Sequence, residues 1–146
     1  MEVRHITEFI ASQEKPRLKE SSGVVAYHDP CYLARHAGSK SPRGARVVDE
    51  PRRVLSWIPG LKTVELRHRG RWTWCVGECG GLIWSFPELA HWRAEKLLRE
   101  VEMMNVEALV TASPMEQLHL RETAKRAGIK VAIQDISELL ASSLSR

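Results

Sequence analysis

Four short runs of β-branched and apolar residues, Val24 to Tyr27, Thr63 to Leu66, Ala108 to Thr111 and Val131 to Ile133, alternate with segments of helical periodicity. No other feature limits the fold as strongly. Strands separated by helices must cross over and return in the same direction, so the expected class is α/β, a mainly parallel sheet with flanking helices. The helical segments are Ile6 to Gln13, Pro51 to Ile58, Phe86 to Val101, Ser113 to Ala127 and Ile136 to Leu144. In the third of these, Leu89, Trp92, Ala94, Leu97, Leu98 and Val101 fall mostly on one face, which predicts the side turned to the core. Ser113-Pro114-Met115-Glu116 has the form of a capping box with proline at the first helical position. The Ser113 hydroxyl then takes the Glu116 amide while the Glu116 carboxylate reaches back, and Gly128 stops the helix.

A chain of 146 residues with 43% hydrophobic content suits one domain, with residues 1–20 as an N-terminal helix and linker and residues 24–144 as the core. The longest apolar stretches are far too short to span a bilayer, and Met1 leads into a polar segment, so a cytoplasmic chain is expected, at most peripheral to a membrane complex. The net charge of +4 gathers in Lys40, Arg43, Arg46, Arg52 and Arg53 and in Arg67, His68, Arg69 and Arg71. These clusters lack an interleaved binding motif and are offset by 18 acidic residues, which favours a solvated face or an acidic protein partner over nucleic acid. The segment from Gly38 to Arg46, rich in Ser, Lys, Arg, Gly and Pro, is expected to be an exposed loop.

All three cysteines lie in segments punctuated by proline or glycine: Asp29-Pro30-Cys31 and Cys75-Val76-Gly77-Glu78-Cys79-Gly80-Gly81. Thiolates on such backbone are a common way to hold zinc or an iron–sulfur cluster, because the turns let sulfurs converge. An odd count without a secretory signal argues against a disulfide framework. Three sulfurs fall one short of a closed four-thiolate site, so a metal calls for a further ligand or an open position. Glu116 and His119, three residues apart on one helical face, are candidates, as is His28 beside Cys31, although a helix cap accounts better for Glu116 and a satisfied polar contact is the commoner role of such a histidine. Trp72, Trp74 and Trp84 flank the cysteine loop and suggest a shield or an interface.

The ends of the chain echo each other. Val3 to Ser12 and Ile133 to Ser142 share four identities over ten positions, which fits either two similar helix starts or one unit of a tandem architecture.

His28-Asp29-Pro30-Cys31-Tyr32-Leu33-Ala34-Arg35-His36, Pro51-Arg52-Arg53-Val54-Leu55 with Ile58-Pro59-Gly60-Leu61, Cys75 to Trp84, and Val110-Thr111-Ala112-Ser113-Pro114 together resemble the cysteine-rich CCG domain. That family occurs in heterodisulfide reductase B subunits and in iron–sulfur subunits of glycolate and lactate oxidation. The resemblance runs from about Val3 to Leu144 and implies an unusual iron–sulfur cluster or, in some members, zinc. It also implies a first cysteine at Cys31, Cys-Cys-Gly at Cys75-Val76-Gly77, and Cys-x-x-Cys at Ser113 to Glu116. This chain keeps Cys31 and Cys75 of that set, lacks the other three, and adds Cys79.

Two functions follow as expectations. One is an electron-transfer subunit of an oxidoreductase complex of the heterodisulfide reductase or glycolate and lactate dehydrogenase type. In it Cys31, Cys75 and Cys79, with Glu116 and His119 as further candidate ligands, hold an iron–sulfur cluster, and the partners are other subunits or a second CCG-like unit. The other is a zinc-binding or metal-free structural subunit that kept the fold and lost the redox centre. A thiol enzyme using Cys75 and Cys79 is the weakest reading, since no Cys-x-x-Cys signature or base accompanies them.

Overall fold

The computed structural model describes residues 3–37 and 46–145. Its elements are α1 (Ile6–Ala11), β1 (Val24–His28), α2 (Asp49–Ser56), β2 (Lys62–Glu65), α3 (Leu82–Ser85), α4 (Pro87–Glu102), β3 (Ala108–Thr111), α5 (Pro114–Ala127), β4 (Ala132–Asp135) and α6 (Ile136–Ser142). The strands form one parallel sheet in the order β2-β1-β3-β4, the α/β architecture expected from the alternation.

Successive side chains on each strand point to opposite faces, and the core divides accordingly. Ala26, Leu109 and Ile133 pack against Leu97, Leu98 and Val101 of α4 and Leu120 and Ala124 of α5. On the other face, Val25, Tyr27, Ala108 and Val110 pack against Ala11 of α1, Val54 and Leu55 of α2, and Ile136 and Leu140 of α6. From β1 the chain turns outward to β2 through α2, then returns through α4 on the opposite face to place β3 on the other side of β1. The winding therefore reverses between β1 and β3. Loops leaving the carboxyl ends of two such strands diverge and leave a crevice, the usual ligand position in open parallel sheets.

Several details depart from the sequence reading. The buried stripe of α4 runs through Ala90, Ala94, Leu97, Leu98 and Val101, while Leu89 is 47% and Trp92 55% exposed. Small Ala90 is required there because Gly77 presses its backbone against it. Helix α2 begins two residues before Pro51, which is tolerated because a first-turn residue has no intrahelical partner for its N–H. The short helix α3 follows directly on the glycine-rich segment, with Gly81 at its start, where the sequence reading has no helix. The basic cluster and exposed loop expected around Lys40 and Arg43 fall, apart from the positions from Arg46 onward, outside the described residues.

The resemblance between the chain ends has a structural basis: both open helices with reciprocal capping boxes. His5 caps α1 with Glu8, whose carboxylate accepts the His5 amide at 2.8 Å, and Asp135 caps α6 with Glu138. Beside them, the linker runs antiparallel to the segment after α6, with Lys19 N–H donating to the Ser143 carbonyl and Ser145 N–H to that of Arg17.

The capping box expected at α5 forms only in part. Ser113 Oγ accepts the Glu116 N–H at 3.3 Å, but the Glu116 carboxylate does not return to the backbone; it turns into the protein toward His28. Substitution of Ser113 by Ala removes one cap and should lower stability by about 1 kcal/mol without changing metal content. Chemical denaturation and elemental analysis of the variant check both parts, and loss of metal at unchanged stability would reverse the assignment.

Candidate metal centre

The site occupies the crevice beyond the carboxyl ends of β1 and β3. His28, the last residue of β1, stands in register with Thr111, the last of β3. Its imidazole is fully buried, with Nδ1 2.8 Å from Glu116 Oε1 and Nε2 2.8 Å from the Trp74 carbonyl oxygen. Thr73 Oγ1, 3.2 Å from Nε2, gives its own proton to the Asp29 carbonyl and so also faces the ring as an acceptor. Every partner of the ring accepts, so both ring nitrogens must donate. Burial lowers the His28 pKa, but the charge and hydrogen bond of Glu116, with the Trp74 carbonyl, leave it raised. His28 is therefore an imidazolium paired with a carboxylate in the interior. Glu116 is held further by the Thr111 hydroxyl and by its place in the first turn of α5, where the helix dipole favours negative charge.

Asp29 fixes the next link. Both its oxygens accept from Arg52 of α2 at 2.7 Å, one also accepts the Gly70 N–H at 2.6 Å, and Arg52 continues to both oxygens of Glu65 at the end of β2. Pro30 then offers its carbonyl to Ala34 N–H, starting the wide helical turn Tyr32–His36 and leaving Cys31 buried at its head.

The second cysteine segment reaches the same place by a different device. Gly77 has φ +91°, and a Cβ there would lie 2.8 Å from the Ala90 Cα, so only glycine allows the loop to lie on α4. Gly80 and Gly81 also take positive φ and turn the chain back. Arg93 of α4 donates to the Cys75 carbonyl at 2.7 Å and lies over the Trp74 ring, whose Nε1–H donates to the Arg93 carbonyl.

These segments bring the Cys31 and Cys79 sulfurs to 3.1 Å and the Cys75 and Cys79 sulfurs to 3.6 Å. A Glu78 carboxylate oxygen joins them, and all four ligand atoms lie within 4.8 Å of one another. The group has the composition of a metal site. Among its thiols Cys75 ionises first: the Cys31 hydrogen bond, the Gly77 N–H and Arg93 outweigh burial and bring it down to about 5. Cys31 is raised, first by its hydrogen bond to Cys75 and then by burial, and burial pushes Cys79 up to about 11. Burial, then the charges of Glu116 and Cys75, push Glu78 up to about 7.

Of the other candidates, neither Glu116 nor His119 belongs to this group. Glu116 uses Oε1 on His28 and Thr111, and its Oε2 has no hydrogen-bond partner among the described residues. His119 Nε2 donates to the Val76 and Ala90 carbonyls, fastening α5 to the cysteine loop and α4. Trp74 is built into the fold, whereas Trp72 and Trp84 are 76% and 72% exposed. Sequence reasoning misses Glu78. Its one signal there is an acidic residue between two cysteines in a glycine-rich loop.

Residues 25–121 match the profile of the cysteine-rich CCG domain. The chain belongs to that family. Among its relatives, a subunit of the fumarate reductase (CoM/CoB) of Methanothermobacter marburgensis is 34% identical over 142 residues, covering 96% of this chain and 27% of that protein. A subunit of the dihydromethanophenazine:CoB–CoM heterodisulfide reductase of Methanosarcina mazei is 33% identical over 147 residues, covering 98% and 34%. A probable iron–sulfur-binding oxidoreductase of Bacillus subtilis is 30% identical over 149 residues, covering 98% and 20%. The chain thus spans about a third or less of these relatives.

The buried pair of His28 and Glu116 yields a stability test. Replacing His28 or Glu116 singly with Leu leaves an unpaired buried charge and should cost about 3 to 5 kcal/mol, while the double replacement should cost less than the sum. Because the folded His28 pKa is raised above an ordinary value of about 6.5, its contribution is complete below that pH and is lost as pH rises through the folded value. Urea denaturation of the wild type and of His28→Leu across pH should show the stability gap narrowing on the alkaline side; a constant gap would contradict the imidazolium.

At Gly77, alanine combines a disallowed φ with a backbone clash, and should destabilise by more than about 1 kcal/mol. The same denaturation series checks it.

Proposed function

We propose that this CCG chain is a metal-bearing electron-transfer unit of a larger oxidoreductase assembly. The observation that carries the reading is the convergence of Cys31, Cys75 and Cys79, from two distant segments, at the reversal point of the sheet. The relatives support it: they are named as reductase subunits and as an iron–sulfur oxidoreductase. Cys31, Cys75 and Cys79 would hold the metal, which supplies a centre able to gain and lose an electron if it is iron.

The chain's own residues do the remaining work. Gly77 N–H and Arg93 stabilise negative charge at Cys75, and the buried loop excludes water from Cys31. Exposed Tyr32, Trp72, Trp84 and Met115, close in the chain to site residues, offer apolar area on which a neighbouring subunit or second CCG unit can seat. No helix among the described residues is long and apolar enough to cross a membrane.

Anaerobically purified protein should contain iron and show visible absorption that bleaches with dithionite and returns on oxidation. It should also sediment as a complex when mixed with its cognate reductase subunits. Zinc in place of iron, with no reversible absorbance change, would replace the redox role with the structural one.

A further inference from the structure

We infer that Glu78 is the fourth ligand of this centre, and that Cys31, Cys75, Cys79 and Glu78 close around one tetrahedral divalent ion of the zinc or ferrous class instead of a multi-iron cluster. The inference rests on the reading of the chain as a metal-bearing CCG unit and concerns what this particular ligand set can hold.

The first argument is spacing. Metal–sulfur bonds of about 2.3 Å in a tetrahedron separate ligand sulfurs by about 3.8 Å. The observed 3.1 and 3.6 Å, and the 4.8 Å limit on the whole group, lie close to that separation. A cluster attaches its cysteines to different irons and needs them spread more widely. With Cys31 on a buried turn anchored through Asp29, and the other three ligands on a loop pressed backbone to backbone against α4, neither side is free to draw back.

Glu78 itself supplies the second argument. It is only 7% exposed, yet its Oε2 has no hydrogen-bond partner among the described residues, although buried carboxylate oxygens are ordinarily satisfied. One of its oxygens already belongs to the sulfur group. The neighbouring acid, Glu116, has an equally unpartnered Oε2 but lies outside the sulfur group and is committed through Oε1 to His28 and Thr111, so the two carboxylates divide the work: Glu116 neutralises the imidazolium and Glu78 faces the thiols. An ion among the sulfurs gives this buried carboxylate a partner. It also completes the four-ligand shell that three cysteines leave open, with Arg93 offsetting part of its negative charge.

The test uses the full chain, loaded anaerobically with Zn2+ or Co2+ alone and, in parallel, incubated with Fe2+ and sulfide together. One ion per chain without acid-labile sulfide is expected. X-ray absorption of the wild-type zinc form should fit three sulfurs and one oxygen with no metal–metal scattering. Glu78→Gln keeps shape and removes the charged ligand; it should bind Zn2+ at least tenfold more weakly, with an altered Co2+ spectrum and unchanged far-ultraviolet circular dichroism of the apo protein.

Iron and sulfide in equal amounts in the wild type would overturn the single-ion inference and leave the metal-bearing reading standing. A shell without an oxygen neighbour, or undiminished affinity in Glu78→Gln, would overturn the role of Glu78. Failure to take up any metal would overturn both readings. The wild-type absorption measurement decides the matter even if the variant does not fold.

Discussion

A buried positive charge underlies the arrangement of this protein. The His28 imidazolium ends the central strand β1 shielded from solvent, and two separate parts of the chain must supply acceptors for its two protons: α5 through Glu116, and Thr73-Trp74 through the Thr73 hydroxyl and the Trp74 carbonyl. A charge in that position is tolerable only when paired and fully hydrogen-bonded. The requirement fixes α5 relative to β1 and holds the backbone one residue before Cys75, so the cysteine loop and the carboxyl edge of the sheet are bound to one point. Asp29 does the same toward the opposite side through Arg52, which joins α2 and β2 to that point. In His28-Asp29-Pro30-Cys31 each residue therefore has a distinct duty: a charge anchor toward α5, a charge anchor toward α2, a turn, and a ligand.

Much of this was legible in the sequence, and what escaped has identifiable causes. Strands and helices announced themselves because Val24 to Tyr27 and Ala108 to Val110 are apolar on both faces, as a central parallel strand must be, and because Ser113-Pro114 and Gly128 punctuate α5 at both ends. The meeting of Cys31 with Cys75 and Cys79 was readable from strand ends gathering at one edge. What local spacing could not reveal was the destination of Glu116. Its pattern satisfies a capping box, yet a partner 88 residues away offers a buried donor with a full positive charge, and that outweighs a backbone amide able to find other partners. His119 misled for a related reason. Helical spacing places it on the face of Glu116, but not how far along that face the sulfurs lie.

In the glycine-rich loop the decisive residues are the smallest ones. Gly77 decides where Cys75 and Cys79 stand because the backbone of α4 comes within reach of a missing Cβ, and Ala90 is the matching small residue. Neither is a ligand. Reading α4 by its large side chains put Leu89 and Trp92 in the core, whereas the geometry of the loop demanded a small residue and turned both outward.

The parts of the site are far apart along the chain, and this sets an order of events in folding. Cys75 and Cys79 are four residues apart and can approach as soon as their loop bends, but Cys79 lies 48 residues from Cys31, and His28 lies 88 from Glu116. Such closures carry a large entropic cost that only the pairing of β1 with β3 offsets, so they come late. The sulfur site is then a product of the completed sheet and cannot act as its template, in contrast to small metal-nucleated domains that collapse around their ion. Until that stage the three thiols travel on an open chain, and the interval before sheet closure is when they are most exposed to oxidation.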